Sequence, residues 1–104
     1  MVYVTQEVAG RNVIPARQYG ELSVLLPQGD VVLSAGPTTR KLQRLLKDFG
    51  DNDYLLLMGD PVAIGLACAI ACDVNRGRYK ALKWDRQNHV YYPVEVELHR
   101  KVGE

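Results

Sequence analysis

Every residue from Pro61 to Cys72 is apolar or glycine, and no charge interrupts the chain between Asp60 and Asp73. A stretch of that character is stable in water only when most of its surface is covered, so it marks an interior element. Just before it, Tyr54-Leu55-Leu56-Leu57-Met58 is a short apolar run with turn-forming residues on both sides, Asp51-Asn52-Asp53 and Gly59-Asp60-Pro61. That pattern predicts a strand buried on both faces. Gly59-Asp60-Pro61 then reads as strand end, N-cap and first helical residue, because an Asp side chain accepts an orphan backbone N–H and Pro has none to orphan. The helix is expected to run to about Asn75 and to be the buried one. Its Ala63, Gly65, Ala67, Ala69 and Ala71 are small enough to let another element approach closely.

The remaining segments arrange themselves around this pair. Leu22, Val24 and Leu26 share one strand face, and Pro27-Gln28-Gly29-Asp30 supplies a turn before Val31-Val32-Leu33, which predicts a hairpin. Leu42, Leu45, Leu46 and Phe49 recur at helical spacing after Gly36-Pro37, with Gly50 expected as the C′ residue and Arg40, Lys41, Arg44 and Lys47 on the opposite, basic side. Tyr79–Trp84 and Val90–Leu98 read as two strands joined by Asp85-Arg86-Gln87-Asn88-His89. In the second, Tyr92, Val94, Val96 and Leu98 alternate with Tyr91, Pro93, Glu95 and Glu97, so the first set is expected in the core and the second in water. Pro93 suits an edge strand, since it cannot donate to a ladder. Gly10, Arg11, Asn12 and Pro15 break any period before Tyr19, so residues 1–19 are read as an N-terminal arm, able to hold one short strand, ahead of a single α+β domain over residues 20–104. The expected order is ββ-α-β-α-ββ, an antiparallel or mixed sheet with two helices on one face.

Bulk properties narrow the function classes. At 104 residues the chain has room for one core, and self-association into a homodimer is an open expectation because small domains bury a modest share of their surface. Thirteen Lys and Arg against 12 Asp and Glu give a net charge of +1, which predicts neither a strong polyanion binder nor an acidic mimic. Met1–Gln6 lacks the basic start and apolar core of a secretion signal, and Val62–Cys72 falls short of a membrane span. Cys68 and Cys72 read as buried, reduced thiols. A cytoplasmic setting without membrane contact follows as the expectation.

No catalytic signature can be named. An exposed helix N-terminus at Pro61 could attract an anion, but Asp60 fills the cap and repels phosphate, and neither phosphate-cradling glycine motif is present. Cys68, Cys72, His89 and His99 would have to converge to hold zinc, although the thiols and the histidines fall in different elements, so no metal and no cofactor is expected. There is no Gly-x-Ser-x-Gly elbow, and no cation lies near either cysteine in sequence. Glu95 and Glu97 share a strand face and read as solvated.

What stands out is the last quarter of the chain, where cations interleave with aromatic rings. Lys80, Lys83 and Arg86 accompany Trp84 and Tyr91, and Arg40 and Arg44 could extend the patch from the basic helix if the fold sets the two side by side. Ordinary surface decoration is the bland alternative. As a binding surface the hairpin could stack single-stranded nucleic acid or anchor a protein partner, since aromatic and Arg side chains serve both. Should the hairpin be scaffold, the arm around Arg11, Asn12 and Arg17 is the next candidate.

Asp53-Tyr54-Leu55-Leu56 with Gly59-Asp60-Pro61 and Ile64-Gly65, and Leu82-Lys83-Trp84-Asp85-Arg86-Gln87 followed by Tyr91-Tyr92-Pro93-Val94, resemble segments of small proteins encoded by tailed bacteriophages, marine ones included. Tyr3-Val4-Thr5-Gln6-Glu7 and Tyr19-Gly20-Glu21 are similar too. The resemblance implies the cytoplasm of an infected bacterium and brings no catalytic residue with it. The expectation is a non-enzymatic binding protein that engages a host or phage protein, as a host-takeover factor or a complex subunit, with a nucleic-acid-binding module as the alternative. Near-zero net charge favours the first, because phosphate electrostatics dominate nonspecific nucleic-acid affinity.

Overall fold

The computed structural model describes residues 1–30 and 33–98. In chain order the elements are β1 (Val2–Gln6), a 3-10 helix (Ile14–Tyr19), β2 (Leu22–Leu26), α1 (Ala35–Leu45), β3 (Tyr54–Leu56), α2 (Pro61–Val74), β4 (Arg78–Asp85) and β5 (Val90–Glu97). The strands form one sheet in the order β2-β1-β3-β4-β5. The first four are mutually parallel and β5 is antiparallel to β4, which makes the fold α+β with a mixed sheet.

Strand alternation writes two faces into this sheet. Tyr3, Leu55 and Tyr79 point to one face and pack with Leu42, Ala63, Ala67 and Ile70 of the two helices and with Leu46 just past α1. Val2, Val4, Leu56, Leu82 and Tyr91 point to the other and are covered by Val8, Val13, Ala16 and Tyr19 from the segment between β1 and β2. Right-handed crossovers require this split. The chain steps from β1 to β2 in one direction across the sheet and from β2 to β3 to β4 in the other, so the 3-10 helix falls on one face and both α-helices on the opposite one.

The element order is the one expected, but different residues fill its first places. Leu22–Leu26 is a strand, and its partner among the described residues is β1, in parallel, where a hairpin partner was expected. Val31 and Val32 lie outside the described residues, and Leu33 is an exposed bend. Residues 2–6 of the expected arm are an interior strand between β2 and β3. The one short strand the arm was expected to hold is thus present, but with both faces of β1 covered and turn residues after it, nothing in the sequence marks it as an interior strand.

The helices also depart in detail. α1 ends at Leu45, five residues before Gly50, with Leu46 as C-cap, and Leu46 and Phe49 reach the core from the turn and loop that follow. α2 is capped as expected: the Asp60 carboxylate accepts the Val62 N–H at 2.8 Å, and Pro61 is the first helical residue. It buries Ala63, Ala67, Ile70, Ala71 and Cys72 but leaves Val62, Gly65 and Ala69 exposed, so it is half covered and not enclosed.

The expected sides of β5 hold in part: Pro93, Glu95 and Glu97 are exposed as expected and Val96 is half-buried, but Tyr91 is buried and the rest of the expected core side is exposed. Tyr91 is 7% exposed, whereas Tyr92 and Val94 are each 39% exposed and Leu98 more so. α2 packs on β1 and β4 and stops short of β5, leaving the Tyr92–Val94 side of the edge strand bare, while the 3-10 helix packs against β5 on the Tyr91 side. Pattern alone says that one side of a strand is buried. Which side depends on where the covering elements stop.

Candidate functional site

The C-terminal ends of the parallel strands carry two neighbouring corners that differ in construction. The first lies between β1 and β3, where the strand order reverses, the crevice at which doubly wound sheets commonly bind ligands. Here Gln6, only 4% exposed, fills the floor, and a shallow, open cavity of about 460 Å³ bordered by Gln6, Gly29, Gly59 and Asp60 lies above it. The Gln6 side-chain amide donates to the carbonyls of Pro27 (3.1 Å) and Asp30 (2.6 Å), and its oxygen accepts the Asp60 N–H at 2.7 Å. One side chain thereby ties the loops after β2 and β3 to the end of β1. Gly59 has φ +97°, and a Cβ there would overlap the Gln6 side chain, so the fit demands glycine.

The second corner is open, because β3 is short and β4 is long. Their ladder ends at Leu56↔Leu82, while β4 and β5 stay paired as far as Asp85↔Val90. The hairpin therefore overhangs the sheet by three residues of β4. Thr5 explains why β3 does not follow. Its hydroxyl accepts the Met58 N–H at 2.7 Å and donates toward the Met58 carbonyl, drawing Leu57–Met58 toward β1 and away from β4. A cavity of about 890 Å³ opens in the space this leaves and touches both faces of the hairpin.

On the face opposite the helices, Trp84 is 38% exposed and meets Tyr91 edge-on with ring centroids 4.9 Å apart, and His89 at 6.1 Å. Tyr91 is held firmly: its carbonyl accepts the Tyr19 O–H at 2.8 Å, and its hydroxyl points at the Asn12 carbonyl at 3.5 Å. Burial pushes the Tyr91 pKa up, with the charge of Arg11 pulling the other way. Leu57 and Met58 form the wall toward β3, Arg11 and Lys83 supply the cations, and the His89 imidazole lies beside them. No carboxylate lines the cavity among the described residues.

The structure divides the residues singled out from sequence. Trp84 and Tyr91 come together with Arg11 and Asn12, merging the first and second choices into one place. Lys83 lines the same cavity from the other face of β4, since alternation separates it from Trp84. Lys80 sits 4.4 Å from the ring centre of Tyr54 and is paired across the ladder with Glu95. Arg86 is exposed in the hairpin turn, and Arg17 is exposed on the 3-10 helix. Arg40 and Arg44 are exposed on α1, across the sheet from Trp84, so the basic helix and the aromatic pair do not form one surface.

Thr5, Leu57 and Met58 were not legible as site residues. Only the mismatch in strand length gives them their role, and that is a property of register.

For the chemistry weighed from sequence, the geometry is quiet. Among the described residues no three His, Cys, Asp or Glu side chains gather as metal ligands, and His99 lies outside those residues. Cys72 is buried and Cys68 partly so, and burial pushes the Cys68 thiol pKa up against a hydrogen bond with Tyr79. No described helix is long and apolar enough to cross a membrane.

No curated protein and no solved structure shows significant similarity to the chain. The protein family described as Phage Pam3 gp32-like protein matches residues 1–98, nearly the whole length, and the chain therefore belongs to that family of phage-encoded proteins.

Proposed function

We propose that this phage protein is a non-enzymatic binding protein that engages a host or phage protein in the cytoplasm of the infected cell, through the cavity beside Trp84. The observation that carries the reading is the half-exposed indole, backed by a fixed Tyr91 and placed where the sheet leaves an apolar wall uncovered. Protein interfaces take their energy from such anchors, a few rigid aromatic and Arg side chains set in a pocket.

The distribution of cations favours protein over nucleic acid. A polyanion needs a continuous basic track. Here Lys80 is engaged with Tyr54, Arg78 is paired with Asp51 at 3.3 Å, and Arg40 and Arg44 lie on the far face. What remains at the cavity is Arg11 and Lys83, enough to select a partner and too little to track a phosphate backbone.

The test is capture from phage-infected cells by cross-linking, with nuclease treatment, using wild type and Trp84→Ala in parallel. A dominant protein retained by wild type and lost with the variant supports the reading. Identical retention by both places the contact elsewhere. A nucleic-acid complex whose affinity falls steeply with salt replaces the reading with the alternative.

A further inference from the structure

We propose that the partner contributes an extended, acidic and apolar segment that lies in the plane of the sheet beside the overhang of β4, in the place β3 vacates. This rests on the protein-binding reading above and specifies its mode.

The backbone carries the first part of the argument. Leu98 donates its N–H to the Gly77 carbonyl at 2.8 Å, and alternation along the β4–β5 register then turns the backbone groups of Tyr79, Ala81, Lys83 and Asp85 toward β5. Those of Lys80, Leu82 and Trp84 therefore face β3. Leu82 is the last residue that β3 pairs, so the N–H and C=O of Trp84 point into the cavity and meet no strand. Two aligned backbone groups at the end of a ladder are a template for strand addition.

The walls carry the second part. Side chains of a strand lying in the sheet plane alternate between its faces, so its receptor must offer contacts on both. The cavity does so. Trp84, Tyr91 and Met58 line it on one face, and Leu57, Ala81 and Val94 on the other. A helix or a folded surface would use one side of the hairpin and leave the other bare.

Charge decides what the segment carries. The lining holds the cations Arg11 and Lys83 and no carboxylate among the described residues, so the complementary segment bears Asp or Glu between its apolar residues. The outer edge of the sheet is a poor competitor. On β5 the outward backbone groups belong to the odd residues, where Pro93 has no N–H to give and the Tyr91 carbonyl already accepts Tyr19.

The experiment selects from a displayed library of random linear dodecapeptides on the folded protein, then follows the Trp84 amide by hydrogen exchange with the enriched peptide in synthetic form. The expected result is a consensus that alternates apolar residues with Asp or Glu, at least tenfold slower exchange of the Trp84 N–H at saturation, and at least tenfold weaker binding to Arg11→Glu/Lys83→Glu. No enrichment, a basic consensus, or binding that leaves the Trp84 amide exchanging as before overturns the proposal. If such a failure accompanies a protein that wild type captures and Trp84→Ala loses, the binding reading stands and only the strand mode falls. Absence of any captured protein removes both.

Discussion

The two corners at the C-terminal edge of the sheet are built from adjacent residues of β1, Thr5 and Gln6, yet they end in opposite states. Gln6 fills its corner, satisfying three backbone groups of two loops and pressing against Gly59 so closely that no side chain fits there. Thr5 opens its corner by holding Met58 on the β1 side. The reversal in strand order lies at the first, where a doubly wound sheet usually binds its ligand. In this chain the protein's own amide fills the floor of that crevice, leaving a shallow cavity of about 460 Å³, and the larger cavity, about 890 Å³, lies one strand over, at the hairpin overhang.

The sharpest way to break this contrast is at Gly59. Gly59→Ala combines a left-handed backbone with overlap on Gln6, and an expected loss of about 2–5 kcal/mol should appear in urea or thermal unfolding. A variant as stable as wild type would mean that the corner is looser than described. Gln6→Ala should cost somewhat less, about 2–4 kcal/mol, because it deletes a buried side chain and leaves the Asp60 N–H without its acceptor. Loss of the cap in Asp60→Ala is expected to cost about 0.5–2 kcal/mol.

The smallest effect lies on the open side and concerns alkaline stability. Burial, reinforced by Cys68, lifts the Tyr79 pKa from the usual 10.0 to about 12. The folded protein thus keeps a proton that the unfolded chain releases. Its contribution is fully present below pH 10.0 and is lost as pH rises through about 12. Tyr79→Phe should flatten that decline, and unchanged alkaline unfolding would show that the hydroxyl is well solvated.

How far the sequence reaches follows the same division. The charge-free run after Asp60 makes α2, its cap and the strand before it readable, because burial, capping and proline placement all agree within a few residues. Trp84 and Tyr91 were readable as candidates because rings and cations interleave in that segment, whereas their pairing across the hairpin is a matter of register. What the sequence leaves hidden depends on distant pairing. β1 looks like an appendage because its neighbours, β2 and β3, lie about 20 and 50 residues away in register with it. The bare side of β5 depends on where α2 ends laterally. The notch beside β4 depends on a Thr5 hydroxyl reaching the segment just past β3, 53 residues later.

The most direct test of the contrast is to compare Trp84→Ala and Asp60→Ala side by side, each confirmed folded by circular dichroism, in capture of protein from infected cells. Asp60→Ala weakens the closed corner without touching the cavity lining, whereas Trp84→Ala removes the proposed anchor from an exposed position. The expected result is full capture by Asp60→Ala despite its lower melting temperature, and at least thirtyfold weaker capture by Trp84→Ala, equivalent to about 2 kcal/mol. Capture retained by Trp84→Ala and lost by Asp60→Ala would contradict the account and return function to the β1–β3 crevice.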